Sequence, residues 1–284
     1  MDTFSSQAQS DGLLVPLEHG QAVSVGWPAS IGGCPRGVTW HWTATWDLAT
    51  CRRTLGGANA TRKGQASAHY AVGRSRAEGV DRYVALENRS WHAGVQQTLR
   101  WDGRVLSSDD HRASRSTIGI ETVNIGYARS DVRPGLGWIP VTTPAGNATV
   151  LVQLWTEQQI ELMIGVGKGV VSRWPNIAPD DHHGHADLCP GYKVDVAGFP
   201  FARVLRGIYG DPGIPDVWTP LLTNIGRRRA LIDLGYSIDP TDEAWTSECD
   251  TALRAFQRSA GLVEDGMWTV FVSRVVHREL HRTF

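Results

Sequence analysis

The order of secondary-structure signals along the chain restricts its fold most strongly. Four short runs rich in β-branched and aromatic residues come first, and one long amphipathic pattern follows them. Thr156 is a typical N-cap residue with Gln159 three positions later, and apolar residues then recur at helical spacing as far as Trp174. This order predicts an α/β domain with a mixed central β-sheet flanked by helices. The predicted strands cover residues 37–45, 67–74, 82–87 and 117–125.

The length of the chain and the distribution of Gly and Pro predict two domains. A chain of 284 residues usually exceeds a single domain, so we expect one large domain and one smaller one. The first would cover residues 1–209, including an irregular lead-in at 1–36. Gly and Pro are concentrated at 210–220, which predicts a linker. A small all-α domain of three helices is predicted over 221–284, with helices near 224–234, 248–259 and 268–280.

Charge and hydropathy exclude some classes of partner. The net charge of −1 argues against nucleic acid, because phosphate binding normally requires a clear excess of basic residues. No stretch of about 18 apolar residues could span a bilayer, and the first residues lack the basic and apolar regions of a secretory signal. We therefore expect a protein made in the cytoplasm. The chain has twelve Trp residues, whose flat faces suit sugar rings but which also fill cores, and the sequence does not decide between these uses.

The four cysteines, at positions 34, 51, 189 and 249, include no CxxC pair. They are too few for a disulfide scaffold in a chain of this length, and their spacing does not fit a structural zinc ribbon. Cys34 and Cys51 could form a disulfide in an oxidising compartment, although nothing in the sequence requires one.

A loop at 175–200, dense in His, Asp, Gly and Pro, is the first candidate for chemistry. His185 and Asp195 are ten residues apart in this loop with a Pro-Gly pair between them, so a folded loop can bring imidazole and carboxylate together. His41, in the first predicted strand, could supply a second imidazole or could be a hydrogen-bonded core residue. Two His and one carboxylate, with a fourth position left to water, form the open coordination that catalytic zinc uses.

Five segments between residues 41 and 195 form an ordered set of motifs. They are the strand histidine at 41, S-A-H-Y at 67–70, W-H-A-G at 91–94, S-T-I-G-I-E at 116–121 and G-H-A-D-L-C-P-G-Y-K-V-D at 184–195. In residues and order this set resembles the zinc-dependent N-acetylmuramoyl-L-alanine amidases of type 2, a family that also includes the peptidoglycan recognition proteins. The match is highly specific.

The resemblance implies a metal site and two catalytic groups. His41, His185 and Asp195 would bind Zn²⁺. Glu121 would act as general base or acid, and Lys193 would stabilise the developing oxyanion. Considered without the resemblance, Glu121 could cap a sheet edge or pair with an Arg, and Lys193 could be a solvated loop charge.

The resemblance also implies that Trp91, His92 and His69 bind substrate, with Trp91 and His92 lining the groove for glycan and peptide. Both residues could equally be packing residues under a turn. His69 and Tyr70 alternate in a predicted strand, so only one of them can face the cleft, and we interpret Tyr70 as structural.

Two features depart from the family pattern. Cys189 stands where many relatives have a small residue, and its thiol could compete for zinc. It lies four residues after His185, against eight in the branch that uses a Cys ligand, so Asp195 is the preferred third ligand. The second departure is Thr117, together with an Arg- and Asp-rich loop at 107–115 that could alter which stem peptides fit. The histidines at positions 182 and 183 are interpreted as loop residues rather than ligands.

The last third of the chain resembles a small three-helix peptidoglycan-binding domain. The supporting residues are L-G-Y at 234–236, A-L-R-A-F-Q at 252–257 and G-L-V-E-D-G at 261–266. Leu253 and Phe256 would share one helical face, and Asp265-Gly266 would form a tight turn. The alternative is a helical cap or a dimerisation element.

Together these resemblances imply an enzyme that hydrolyses the amide bond between N-acetylmuramic acid and L-alanine in bacterial peptidoglycan. It would act in the periplasm or cell wall, either as an endolysin released with a holin or as an effector exported by secretion machinery, for which an immunity protein is a further partner. The alternatives are a non-catalytic peptidoglycan recognition protein and a zinc peptidase acting on the stem peptide. Recognition proteins of this kind typically lose a zinc ligand, whereas this chain has the complete set.

Overall fold

The computed structural model describes the chain in segments. Cys189 lies outside them, as do most of the predicted lead-in, most of the predicted linker and most of the loop at 107–115, so the expectations for these parts stay predictions. The described residues are 17–18, 26–29, 32–56, 66–93, 100–101, 104–105, 113–142, 149–188, 193–210, 214, 224–242, 244–268 and 270–280.

A six-stranded sheet forms the centre of the first domain, with the strand order β1-β4-β3-β7-β2-β10. Strand β7 pairs in parallel with β2 and β3, whereas β3 and β4 are antiparallel. The sheet is therefore mixed, and the predicted α/β class is confirmed. Its strands are β1 (Leu17–Glu18), β2 (Gly37–Trp42), β3 (Tyr70–Val72), β4 (Val80–Arg82), β7 (Thr117–Thr122) and β10 (His182–Gly184).

Two hairpins and a set of helices complete the described elements. None of these helices is both long enough and apolar enough to cross a bilayer. The hairpins pair β5 (Arg100–Trp101) with β6 (Arg104–Val105) and β8 (Trp138–Thr142) with β9 (Thr149–Gln153). The helices are α1 (Leu48–Leu55), α2 (Glu157–Arg173), α3 (His185–Leu188), α4 (Phe201–Tyr209), α5 (Asn224–Asp233), α6 (Ser247–Ser259) and α7 (Val270–Leu280), and 3-10 turns occur at Ala113–Arg115 and Pro179–Asp181.

The two faces of the sheet differ in chemical character, because successive side chains of a strand point to opposite faces. On one face, β2 and β7 contribute large apolar side chains to the main core, which α2 and α4 complete. On the other face, the same strands carry polar side chains that are also buried. This second face holds the candidate site. The apolar set includes Val38, Trp40, Ile118 and Ile120, and the polar set includes Thr39, His41, Thr117 and Glu121.

Helix α2 begins where the sequence predicts. The Thr156 hydroxyl accepts a hydrogen bond from the Gln159 backbone N–H at 3.1 Å, which is the expected N-cap contact. The side chain of Gln159 does not return this bond to Thr156 as a capping box would. Instead its amide donates to the Val123 carbonyl at 2.8 Å, because this side chain is fully buried against the sheet.

Several elements differ from the sequence prediction. The strand expected at 82–87 ends at Arg82, and buried Tyr83 and Val84 follow it outside the sheet. Helix α1, the β8–β9 hairpin and strand β10 were not predicted. The thiols of Cys34 and Cys51 are both free, so the structure contains no disulfide between them. Cys51 is buried in α1.

The three C-terminal helices share a hydrophobic cluster of their own. Leu253 and Phe256 are both buried in it, as their spacing predicts. Gly266 has a positive φ of 69°, which fits the predicted tight turn before α7. Inside the predicted linker, Ile214 is buried in the main core and its carbonyl accepts hydrogen bonds from Arg206.

Candidate active site

Three side chains converge on one point at the polar face of the sheet. The Nδ1 atoms of His41 and His185 are 3.1 Å apart, and the Oδ2 atom of Asp195 lies 3.3 Å and 3.0 Å from them. Ligand atoms at zinc bond lengths of about 2.1 Å around a tetrahedral centre are about 3.4 Å apart. The three atoms therefore fit one small divalent cation with a fourth position open. The structure brings together all three ligands that the sequence predicted.

The sheet and one closed loop produce this convergence. His41 lies in β2, and β10 pairs in parallel with β2 so that His185, the first residue of α3, follows directly at the same end of the sheet. The Ala186 N–H donates to the Asp195 carbonyl, which closes the loop between the two ligands. One strand pair and one backbone hydrogen bond thus bring together His41, His185 and Asp195, which are far apart in the sequence.

The charge states of the cluster suit metal binding. Burial lowers the pKa of His41 to about 4, although its hydrogen bond with Asp195 acts in the opposite direction. Burial alone would raise the pKa of Asp195, but hydrogen bonds from His185 and His41 outweigh it and hold the pKa well below its usual range. Near neutral pH the site therefore presents a neutral imidazole and an ionised carboxylate, the forms that bind a metal.

Glu121 is the buried acid of the site. It lies opposite His41 in the register of β7 and β2, and its Oε2 atom has no hydrogen-bond partner among the described residues. Burial, and secondly the charge of Asp195, raises the pKa of Glu121 to about 8. An unsatisfied carboxyl with a raised pKa next to a ligand cluster is typical of a catalytic acid or base.

Lys193 stands at the edge of the same cluster. Its side chain is partly buried, two residues before the candidate ligand Asp195. Burial is the largest influence on both Glu121 and His41, and the positive charge of Lys193 additionally lowers the pKa of each. This influence on two groups of the cluster agrees with the predicted role of Lys193 in stabilising negative charge that develops there.

The three predicted substrate-binding residues occupy different environments. Trp91 has 43% of its surface exposed and remains a candidate for substrate contact. His92 is almost fully buried, with Nδ1 2.9 Å from Nε2 of His41 and Nε2 3.0 Å from the Thr117 carbonyl. Its two ring nitrogens are thus engaged within the protein, and the structure does not support a direct contact between them and substrate.

His69 is fully buried and also has both ring nitrogens engaged. Its Nε2 atom lies 2.9 Å from the Asn88 carbonyl, and its Nδ1 atom accepts the Gly119 N–H at 2.9 Å. The prediction that His69 binds substrate therefore has no support in this structure, and its contacts are those of a residue that links two motif segments. Tyr70 is buried in the main core, which agrees with its interpretation as structural.

The histidines at 182 and 183 lie in β10, not in a loop as interpreted from the sequence. Both are buried and neither belongs to the ligand cluster. His182 bridges Trp40 and Tyr209, at 3.2 Å and 2.8 Å, on the apolar face. His183 contacts the Thr39 hydroxyl at 3.0 Å on the polar face.

The sequence reasoning did not single out Gly119 as part of the site. A Cβ atom at this position would lie 2.3 Å from Cγ of His92, so the absence of a side chain makes room for that ring. The signal was present in the glycine of the S-T-I-G-I-E motif, which stands in a strand where glycine otherwise weakens pairing.

Comparison with known proteins agrees with this site. A family model described as N-acetylmuramoyl-L-alanine amidase matches residues 32–195, and one described as putative peptidoglycan binding domain matches residues 228–270. The 1,6-anhydro-N-acetylmuramyl-L-alanine amidase AmpD of Enterobacter cloacae is 29% identical over 116 residues, which are 41% of this chain and 43% of that protein. The chain thus matches less than half the length of this relative.

Two solved structures show a distant likeness. AmiD of E. coli, an N-acetylmuramyl-L-alanine amidase solved with anhydro-N-acetylmuramic acid-L-Ala-D-gamma-Glu-L-Lys, is 22% identical with a TM-score of 0.47, covering 87% of this chain and 90% of that one. AmpDh3 of Pseudomonas aeruginosa is 24% identical with a TM-score of 0.45, covering 86% and 90%. The first family match spans more than half of the 284 residues and contains all three converging ligands. This chain belongs to the N-acetylmuramoyl-L-alanine amidase family.

Proposed function

We propose that this protein is a zinc-dependent hydrolase that cleaves the amide bond between the lactyl group of N-acetylmuramic acid and L-alanine in bacterial peptidoglycan. The observation that carries the proposal is the convergence of His41, His185 and Asp195 within about one metal coordination sphere. Beside it lies the buried carboxyl of Glu121, whose Oε2 atom has no hydrogen-bond partner in the part of the chain that the structure describes. The family match supports the choice of bond.

The donor set fits zinc, because imidazole nitrogen and carboxylate oxygen are among its usual ligands and three protein ligands leave one position open. When bound, zinc supplies Lewis-acid activation of a carbonyl and lowers the pKa of water. His41, His185 and Asp195 would hold it. Lys193 would stabilise the negative charge that develops on the carbonyl oxygen during attack.

Glu121 would transfer the protons. In the first step the oxygen of water bonds to the amide carbon, and one water proton passes to the Glu121 carboxylate. In the second step Glu121 returns this proton to the nitrogen as the C–N bond breaks, leaving a free lactyl carboxyl group and the free amine of L-alanine. In the metal-free protein burial raises the pKa of Glu121, which makes its carboxylate a stronger proton acceptor than that of an exposed glutamate.

The C-terminal helices would hold the enzyme on its polymeric substrate. The match to a putative peptidoglycan binding domain supports this role. Binding to the wall would raise the effective concentration of the catalytic domain at neighbouring bonds. We propose that the enzyme acts in the periplasm or cell wall, as an endolysin or an exported effector, and that Trp91 contacts the substrate.

Digestion of purified sacculi tests the proposal. The wild-type protein with zinc should release free amines without new reducing ends, and mass spectrometry should find stem peptides that begin with L-alanine. Glu121→Gln should lose this activity, while Glu161→Gln, which changes an exposed carboxylate on α2, should retain it. Binding to sacculi without any release would instead indicate a recognition protein. Cleavage between stem-peptide residues would indicate a peptidase.

A further inference from the structure

The ring of His92 lies between a metal ligand and the backbone of the central sheet. Its Nδ1 atom is 2.9 Å from Nε2 of His41, and its Nε2 atom is 3.0 Å from the carbonyl oxygen of Thr117. The rings of His41 and His92 meet edge to face, with centroids 5.1 Å apart. His92 therefore contacts the nitrogen of His41 that points away from the ligand cluster.

The direction of each hydrogen bond follows from the groups involved. The Thr117 carbonyl can only accept, so the Nε2 atom of His92 carries a proton and donates it. A neutral His92 then has a bare Nδ1 atom that accepts from Nε2–H of His41. With its proton on Nε2, His41 directs the lone pair of Nδ1 toward His185 and Asp195. Metal-ligating histidines are commonly fixed in this way by a partner on the other ring nitrogen.

The surroundings of His92 are built to hold this ring. Gly119 leaves the space that the ring occupies, since a Cβ atom there would be 2.3 Å from its Cγ atom. The accepting residue is itself fixed, because the Thr117 hydroxyl lies 2.7 Å from that of Thr39, which contacts Nε2 of His183 at 3.0 Å. The ring thus has a defined place between the His41 side chain, the Thr117 backbone carbonyl and Gly119.

We propose that His92 is a positioning residue, which holds His41 in the tautomer with its proton on Nε2 so that the Nδ1 lone pair faces the metal. This role differs from the substrate contact that the sequence predicted for His92. The inference rests on the proposed function only in requiring that His41, His185 and Asp195 bind a metal ion.

Three substitutions separate the two hydrogen bonds of His92. Asn places an acceptor near the position of Nδ1, Gln places its amide near the position of Nε2, and Leu provides neither. We expect His92→Gln and His92→Leu to weaken zinc binding by about 10- to 100-fold, as loss of such a partner typically does. His92→Asn should stay within about three-fold of the wild type, because it retains the acceptor for His41. Zinc affinity is measured on the full chain by competition with a chromophoric chelator.

A matched control uses another buried histidine. His182→Asn removes a ring that bridges Trp40 and Tyr209 on the opposite face, so it should leave zinc affinity unchanged even where it lowers thermal stability. An equal loss of affinity in this control would show that the effect is general and would overturn the proposal. Zinc affinity at the wild-type level in both His92→Gln and His92→Leu, with only KM raised, would restore the substrate-binding role and also overturn it.

The tautomer can be read directly in the wild-type protein, whether or not a variant folds. In a long-range ¹H–¹⁵N spectrum of the zinc-loaded chain, His92 should carry its proton on Nε2 and have a bare Nδ1 atom. A proton on Nδ1 of His92 would contradict the inference. Failure of the wild-type protein to bind zinc at all would overturn the metal site, which is a distinguishable result.

Discussion

Glu121 lies directly opposite His41, in register across the parallel pair of β7 and β2. Both side chains are buried on the polar face of the sheet, His41 as a proposed metal ligand and Glu121 with an Oε2 atom that has no hydrogen-bond partner among the described residues. Two adjacent strands thus fix the proposed acid and the proposed ligand relative to each other without depending on a loop. Residues held by regular elements keep a catalytic geometry more accurately than residues on loops.

The first prediction concerns this carboxyl group. Glu121→Gln keeps the size of the side chain but removes the group that accepts and returns a proton. We expect the rate of amide hydrolysis to fall by about 10²- to 10⁴-fold, with zinc affinity little changed because Glu121 is not one of the converging ligands. Amine release from sacculi and chelator competition measure the two effects. Full activity in Glu121→Gln would exclude Glu121 as the proton-transfer group.

The second prediction concerns the stability of the metal-free protein. Since the pKa of Glu121 rises from 4.5 to about 8 on folding, the native state retains a proton that the unfolded chain releases between these pH values. The contribution of Glu121 to the free energy of unfolding is therefore full below pH 4.5 and decreases toward pH 8, by about 1.4 kcal/mol per pH unit.

The contribution of the buried histidines to the free energy of unfolding changes with pH in the opposite direction. The effect of Glu121 must therefore be measured as a difference between two proteins. The pKa of His41 and of His69 is lowered by burial to about 4, so their contribution increases as pH rises toward 6.5. Subtracting the unfolding curve of Glu121→Gln from that of the wild type cancels these terms. Between pH 6.5 and 8, urea unfolding in chelator should show the wild type losing stability relative to the variant. Parallel curves would contradict the raised pKa.

The third prediction concerns the carboxylate ligand. At a free zinc concentration of 100 times Kd, the wild-type protein should gain about 2.7 kcal/mol of stability. At the same zinc concentration Asp195→Asn should gain much less, because it removes the anionic ligand. Asp131→Asn serves as the control, since it changes an exposed carboxylate that pairs with Arg129. Thermal unfolding with and without zinc measures each gain, and an equal gain in Asp195→Asn would exclude Asp195 as a ligand.

The fourth prediction concerns the exposed indole of Trp91. Because 43% of this residue is exposed while its neighbour His92 is buried, Trp91 is the predicted substrate residue that remains accessible. Trp91→Ala should raise KM for soluble muropeptides without changing zinc affinity, and Trp91→Phe should recover part of the loss because it restores an aromatic face. If KM is unchanged in Trp91→Ala, the residue has no role in binding.

The sequence predicted that His41, His185 and Asp195 converge because each lies in a motif whose order along the chain is specific. It could not predict which way His92 faces. That orientation depends on contacts with His41 and Thr117, residues that come together only when separate strands pair. The same spacing of W-H-A-G would have allowed a ring exposed in the groove.

Local features of the chain explain why the sequence did not predict strands β8 and β10 and helix α1. Strand β8 contains Pro140, and a proline within a run argues against a strand unless the strand lies at an edge. Strand β10 is three residues long, His-His-Gly, and its pairing with β2 rather than its own β propensity accounts for it. Helix α1 begins at an Asp47 N-cap, whose carboxylate accepts a hydrogen bond from the Thr50 N–H at 2.6 Å. Asp47 closely follows a strand-like run, so its capping signal is easily missed in the sequence.

The fifth prediction is that Gly119 affects both the stability of the fold and the binding of zinc. A methyl group at this position would lie 2.3 Å from Cγ of His92, and the ring cannot move away without breaking its bonds to His41 and Thr117. Gly119→Ala should therefore lower the free energy of unfolding by about 1 to 3 kcal/mol, as overpacking does, and should also weaken zinc binding. Gly135→Ala is the matched control, because a Cβ atom there meets nothing within 4 Å. Urea unfolding and zinc competition on both variants give the result. A destabilised Gly119→Ala protein that binds zinc at the wild-type level would show that the place of His92 matters for packing alone.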